Sequence, residues 1–199
     1  MYERKDHFYK RAKREGKASR AAYKIEEIQE KSRLIRTGDA ILELGAAPGG
    51  WMQMLVRWIG PKGLLIGIDR APLTIHPAGP VVFFQSDCNA PHLAAELKKI
   101  LGNKKGFNVI VSDLSPDLTG ITFRDNTLSL EMAQKVFEYC QTWLTQGGHC
   151  VFKVFPSEEF NRFRQTLKTH FESMALFVPE ATRKTSSEVY VIAKGFKKP

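Results

Sequence analysis

The chain has 199 residues, 43% of them hydrophobic and 26% charged, with a formal net charge of +9. That is the size and balance of one globular domain with a full core, and no apolar run approaches the ~20 residues that span a bilayer. Three cysteines without C-x-x-C spacing, five scattered histidines and no apolar leader at the N-terminus lead us to expect a cytoplasmic protein with no disulfide framework and no metal site.

The first element is a basic arm. Residues 1–24 hold nine Lys or Arg against three acids, a local excess of +6, with Tyr2, Phe8, Tyr9 and Tyr23 interleaved. Such a run reads either as a solvated arm or as a segment that neutralises backbone phosphates and offers rings for stacking. We place the arm at residues 1–18 and a single domain over 19–199. Ser19 is a candidate cap for a helix to about Lys31, with Ala22, Ile25 and Ile28 on one face. Apolar runs of strand length follow at 40–44, 64–68, 81–84, 107–112, 149–155 and 189–193. Helical patterns at 51–59, 90–101, 129–144 and 157–171 fall between most of them. The alternation predicts an α/β fold, a largely parallel sheet with helices on both faces. Near the end, "MALFVP" and "EVYVIAKGF" have no helix between them, which predicts a hairpin and one antiparallel strand.

Ligands of such sheets lie beyond the carboxyl ends of the strands. There the segment "LELGAAPGGWMQ" (Leu42–Gln53) offers Gly45, Gly49 and Gly50 but puts Ala47 and Pro48 where a dinucleotide loop needs glycine and an N–H donor. The loop suits close approach to something other than a pyrophosphate. Asp69 ends the second strand, placed for ribose hydroxyls, or else simply starts a turn. Asp87 ends the third and is either a base-reading group or a loop cap. Together they describe a nucleoside without a 5′ phosphate, and S-adenosylmethionine is such a ligand. Asp113 ends the fourth strand, before the loop "LSPDLTG". Lys153 sits inside the apolar "HCVFKVF", where a lysine is costly unless it reaches a strand end or a carboxylate. Lys24 and Glu188, taken singly, read as surface charges.

The segments "SRAAYK", "LELGAAPGGW", "SDLSPDLTG", "FKVF" and "SSEVYVIA" resemble, in order and near spacing, the FtsJ/RrmJ ribosomal RNA 2′-O-methyltransferases, from about Lys10 to the C-terminus. The resemblance implies a Rossmann-like methyltransferase fold with a seven-stranded, mostly parallel sheet and an antiparallel last strand. It implies S-adenosylmethionine as cofactor, with Gly45, Gly49, Trp51, Asp69, Asp87 and Asp113 as its binding positions. The family's Lys-Asp-Lys-Glu tetrad falls on Lys24, Asp113, Lys153 and Glu188. The implied reaction is 2′-O-methylation of a ribose, usually a uridine, in large-subunit ribosomal RNA. A monomer acting on the ribosomal subunit, without a membrane, is the expected setting. Three positions depart from the family pattern: Glu43 stands for Asp, Ser115 for Ala and Asp117 for Asn.

A ribose hydroxyl is a poor nucleophile, so such an enzyme must align it and help its proton leave. We expect Lys153 to act on that hydroxyl as base or orienter, Asp113 to orient Lys153, and Glu188 to hold Lys24 against the ribose. The arm then delivers RNA. Competing readings are methylation of tRNA or a cap-adjacent mRNA ribose, a non-catalytic rRNA-binding assembly factor, and an NAD-dependent oxidoreductase, which Ala47 and Pro48 disfavour.

Overall fold

The computed structural model describes residues 7–183 and 185–198. The first six positions of the basic arm, Tyr2 among them, lie outside the described residues. Seven strands form one sheet: β1 (Ala40–Leu44), β2 (Leu64–Asp69), β3 (Val81–Gln85), β4 (Phe107–Ser112), β5 (Leu144–Val154), β6 (Phe171–Phe177) and β7 (Val189–Phe196). They lie in the order β3-β2-β1-β4-β5-β7-β6. The first five pair in parallel, and β7 runs antiparallel to both β5 and β6. This is the expected Rossmann-like sheet with its one reversed strand. From β1 the chain winds outward to β2 and β3, then returns to place β4 on the other side. The strand order therefore reverses beside β1, and a crevice opens at the carboxyl ends of β1 and β4.

Five helices cover the sheet: α2 (Ala21–Ser32), α3 (Gly50–Ile59), α4 (Leu93–Leu101), α5 (Thr122–Trp143) and α6 (Glu158–His170). The pleat sends alternate residues to opposite faces. In β1, Leu42 and Leu44 pack with Leu97 of α4, Val136 of α5 and Phe160 of α6. Ile41 packs with Ile25 and Ile28 of α2 and Met52 and Leu55 of α3. Both faces are buried, which is why the strands read as continuous apolar runs. No helix among the described residues is long and apolar enough to cross a membrane.

Strands β5 and β6 start at Leu144 and Phe171, ahead of the expected His149 and Met174, and three further features differ from expectation. Residues His7–Arg14 of the arm form a helix, α1, and its Ala12, with Phe8, packs on Tyr23 and Ala181. The arm is docked from there on, and Tyr23, only 4% exposed, is not a ring available for stacking on RNA. Helix α5 begins at Thr122, seven residues before the periodicity suggests, because the Asp125 side chain reaches back to bond the Thr119 and Gly120 N–H groups. Ser19 accepts from the Ala21 N–H at 3.2 Å but stands one residue ahead of the cap position, which Arg20 occupies.

Candidate active site

The reversed strand assembles the tetrad. Lys153 of β5 lies directly opposite Tyr190 of β7, and residues paired across a ladder share a face. That face is the one α2 covers, so Lys24 of α2 comes down onto it. Glu188, two residues before Tyr190, points to the same side. Asp113 follows the last residue of β4, where the crevice opens.

The contacts are close. Lys153 Nζ lies 3.0 Å from Asp113 Oδ1 and donates to the Asp113 carbonyl at 2.8 Å. Lys24 Nζ pairs with Glu188 Oε1. Between the two ion pairs stands a residue the sequence reading missed. The Tyr190 hydroxyl donates to Asp113 Oδ1 at 2.6 Å, and Lys24 Nζ is 3.3 Å from the Tyr190 oxygen. All four expected side chains are thus linked in one chain of contacts, both lysines being 8% exposed. Burial pushes the Asp113 carboxyl up, but Lys153 and Lys24, with the bonds from Tyr190 and Lys153, outweigh it and hold the group below its ordinary value. Burial first, then the Asp113 and Glu188 charges, raise the Tyr190 phenol well above its usual value. Tyr190 therefore stays a neutral donor. Its signal in the sequence was faint: an i, i+2 partner of Glu188 inside a strand reads as core.

Two cavities of about 570 Å³ each flank this chain of contacts, and Ser115 lines both. The first takes in Gly45, Ala47, Asp69, Asp87 and Asp113. Both Asp69 oxygens already hold backbone, Ala47 N–H at 2.9 Å and Ala71 N–H at 2.8 Å, so it shapes the loop and keeps only its remaining lone pairs for a ligand. Asp87 holds Asn89 through Oδ1. Gly49 and Trp51 lie elsewhere. A Cβ on Gly49 would stand 2.8 Å from the Ile75 carbonyl, and its φ is +108°, so glycine there serves the fold of the loop. Trp51 is 2% exposed and donates to the Ala21 carbonyl at 2.7 Å, tying α3 to α2.

The fit to S-adenosylmethionine can be judged from Glu43. It is 1% exposed in β1, and its Oε2 is buried without a hydrogen-bond partner. Burial, then Asp113 and Asp69, raise its carboxyl well above the ordinary value. A pyrophosphate brought to this end of the cavity would face Asp69 and Asp113 with Glu43 close behind them, whereas a cationic amino acid moiety suits that acidic end. The residues fit a zwitterionic methionine. Among the described residues no cluster of metal-ligating side chains occurs.

The second cavity is lined by Arg20, Lys24, Arg183 and Glu188 on one side and Leu118 and Phe155 on another. Arg20 also bonds the Ala181 carbonyl, and the nearby Arg183 charge, after burial, helps depress its pKa. The cationic side of this cavity was not foreseen, because Arg183 is remote in sequence from the arm.

Comparison with known proteins identifies the family. The FtsJ-like methyltransferase family profile matches residues 18–196. A ribosomal RNA large subunit methyltransferase E of Syntrophobacter fumaroxidans is 36% identical over 197 residues, covering 99% of this chain and 98% of that one. Its counterpart in Coxiella burnetii is 37% identical over 195 residues, covering 96% and 91%. Among solved structures, a putative ribosomal RNA methyltransferase of Plasmodium falciparum superposes with a TM-score of 0.79 at 26% identity, covering 92% of this chain and 100% of that one. Aeropyrum pernix fibrillarin, solved with S-adenosyl-L-methionine, shares the fold with a TM-score of 0.56 at 18% identity, over 86% and 75%. The family implies S-adenosylmethionine as cofactor, and the chain belongs to the FtsJ-like methyltransferases.

Proposed function

We propose that this protein methylates the 2′-hydroxyl of a ribose, a uridine in our reading, in large-subunit ribosomal RNA presented on the ribosomal subunit, and that it acts as a cytoplasmic monomer. The observation that carries the proposal is the contact chain Glu188–Lys24–Tyr190–Asp113–Lys153, set between a cavity rimmed by carboxylates and one rimmed by cations. When bound, S-adenosylmethionine supplies a methyl group already activated on a sulfonium.

The chain's own residues do the rest. Gly45, Asp69 and Asp87 hold the nucleoside side of the first cavity, Gly49 lets the loop after β1 close, and Trp51 ties α3 to α2 behind it. Lys24, anchored by Glu188, donates to the substrate ribose. Alignment of this kind can supply about 7–11 kcal/mol of the barrier. Lys153 meets the 2′-hydroxyl, with Asp113 fixing its direction. In methyl transfer the bond from the 2′-oxygen to the methyl carbon would form as the sulfonium's C–S bond breaks to leave a neutral thioether, and Lys153 would accept the hydroxyl proton on a lone pair.

Lys153→Ala tests the reading. With tritiated cofactor and undermethylated large subunits, kcat should fall roughly 10²–10⁴-fold while cofactor affinity stays unchanged. Full kcat in the variant overturns the role of Lys153. Unaltered 2′-O-methyl maps in ribosomal RNA from a deletion strain overturn the substrate.

A further inference from the structure

We propose that Leu118, Ile121 and Phe123 form an apolar shelf that receives an unstacked base of the substrate RNA, beside the ribose that reaches Lys24; this rests on the methyltransferase reading above. The three side chains are 66%, 59% and 75% exposed. Three large apolar groups left in water within six consecutive residues call for a partner. Their exposure is not the looseness of a free loop. Asp125, 7% exposed, accepts the Thr119 N–H at 2.9 Å, the Thr119 hydroxyl at 2.7 Å and the Gly120 N–H at 3.2 Å. The segment is clamped to the start of α5 with its apolar side chains held outward.

The location identifies the occupant. Leu118 lines the same cavity as Lys24 and Glu188, as does Thr122, which stands between Ile121 and Phe123 in the chain, so the shelf adjoins the substrate side of the site. Arg20 and Arg183 line that cavity as well. A wall of cations beside a wall of apolar groups matches the two halves of a nucleotide, phosphate and base face. Sequence-specific recognition of RNA commonly splays out single-stranded bases and stacks them on rings. Asp117, exposed at the edge of the shelf, repels phosphate and so reserves this side for the base.

The test uses the full chain with two probes of equal length, oligouridylate and an abasic ribose-phosphate oligomer. Ile121→Ser combined with Phe123→Ser should weaken oligouridylate binding by about fivefold or more and leave the abasic oligomer unaffected. Phe123→Trp should retain the preference for the oligomer with bases. Cofactor affinity and Tm should not change, because the altered side chains lie in solvent. Equal loss on both probes, or no loss on either, overturns the shelf. So does a sedimentation shift showing that these residues join two copies, or loss of binding to anionic lipid vesicles with RNA binding intact. Methyl transfer is scored separately. A wild-type protein that transfers no methyl to undermethylated subunits ends the functional reading, while base-dependent binding alone decides the shelf.

Discussion

Glu43 and Tyr190 are both fully enclosed polar residues at the crevice, yet they face opposite requirements. Tyr190 has partners, Asp113 at 2.6 Å and Lys24 at 3.3 Å, and its ring packs 5.8 Å from that of Trp51. Glu43 Oε2 has none. The folded protein holds the Glu43 proton more tightly than the unfolded chain does, because burial, Asp113 and Asp69 all oppose its charge. Stability therefore falls as pH rises above the ordinary carboxylate value toward the raised one in the fold. Glu43→Gln removes the ionisation, so at pH 7 the ligand-free variant should melt higher, by about 2–4 °C for each kcal/mol recovered. The same change removes the acid behind Asp69 and Asp113 that a cationic methionine moiety would draw into its charged form, and S-adenosylmethionine should bind roughly tenfold more weakly or worse. Calorimetry and a melting curve read both. A variant that melts lower and binds equally well would show that Glu43 serves packing instead. Sequence alone exposed Lys153, because a lysine inside "HCVFKVF" has no apolar excuse. It hid Tyr190, because tyrosine in a strand is ordinary core.

Helix α1 shows why an element can be invisible in a sequence whose sheet was readable. The strands and most helices announce themselves through local periodicity, whereas the order of α1 depends on partners far along the chain. Ala12 and Phe8 pack on Ala181, and Arg20, beside the Phe8 ring, bonds the Ala181 carbonyl. Locally, HFYKRAKR offers only charge and a single turn of apolar pattern. Similarly, the early start of α5 depends on Asp125 bonding backward, the reverse of an ordinary cap. What fastens α1 is Glu15, which accepts from Arg11 at 2.7 Å and from the Tyr23 hydroxyl at 2.9 Å, while Lys17 lies 3.8 Å from the Tyr23 ring centroid. The Arg11 bond first, then that of Tyr23, draw the Glu15 carboxyl down to about 2. The staple is thus at full strength above the ordinary carboxylate value and is lost as pH falls toward 2. Glu15→Gln should loosen it at neutral pH. Amide exchange in α1 should quicken several-fold while the sheet amides stay unchanged, and uniform exchange in both proteins would show that packing on Tyr23 suffices.

At the scale of the whole molecule, the net charge of +9 has to be divided between fold and substrate. Arg11 and Lys17 are spoken for by Glu15 and Glu26. Lys24 pairs with Glu188, and Lys194 bonds the Ser32 carbonyl. Lys10, Lys13 and Arg14 remain exposed on a helix whose docking against Tyr23 and Ala181 fixes its direction relative to the cavity of Lys24. An arm that moved freely would attract RNA without aiming it. A docked helix presents its cations at a constant distance from the reacting ribose, so charge there should govern how often RNA arrives and not how fast the methyl transfers. Lys13→Glu with Arg14→Glu should weaken binding of undermethylated large subunits and lower the slope of log K against log salt by about 0.7–0.9 per phosphate contact removed. The single-turnover rate at saturating RNA should match wild type. If that rate falls while the salt slope stays fixed, the helix takes part in positioning the ribose. The division between a helix that gathers RNA and a site that reacts with it would then have to be redrawn around α1.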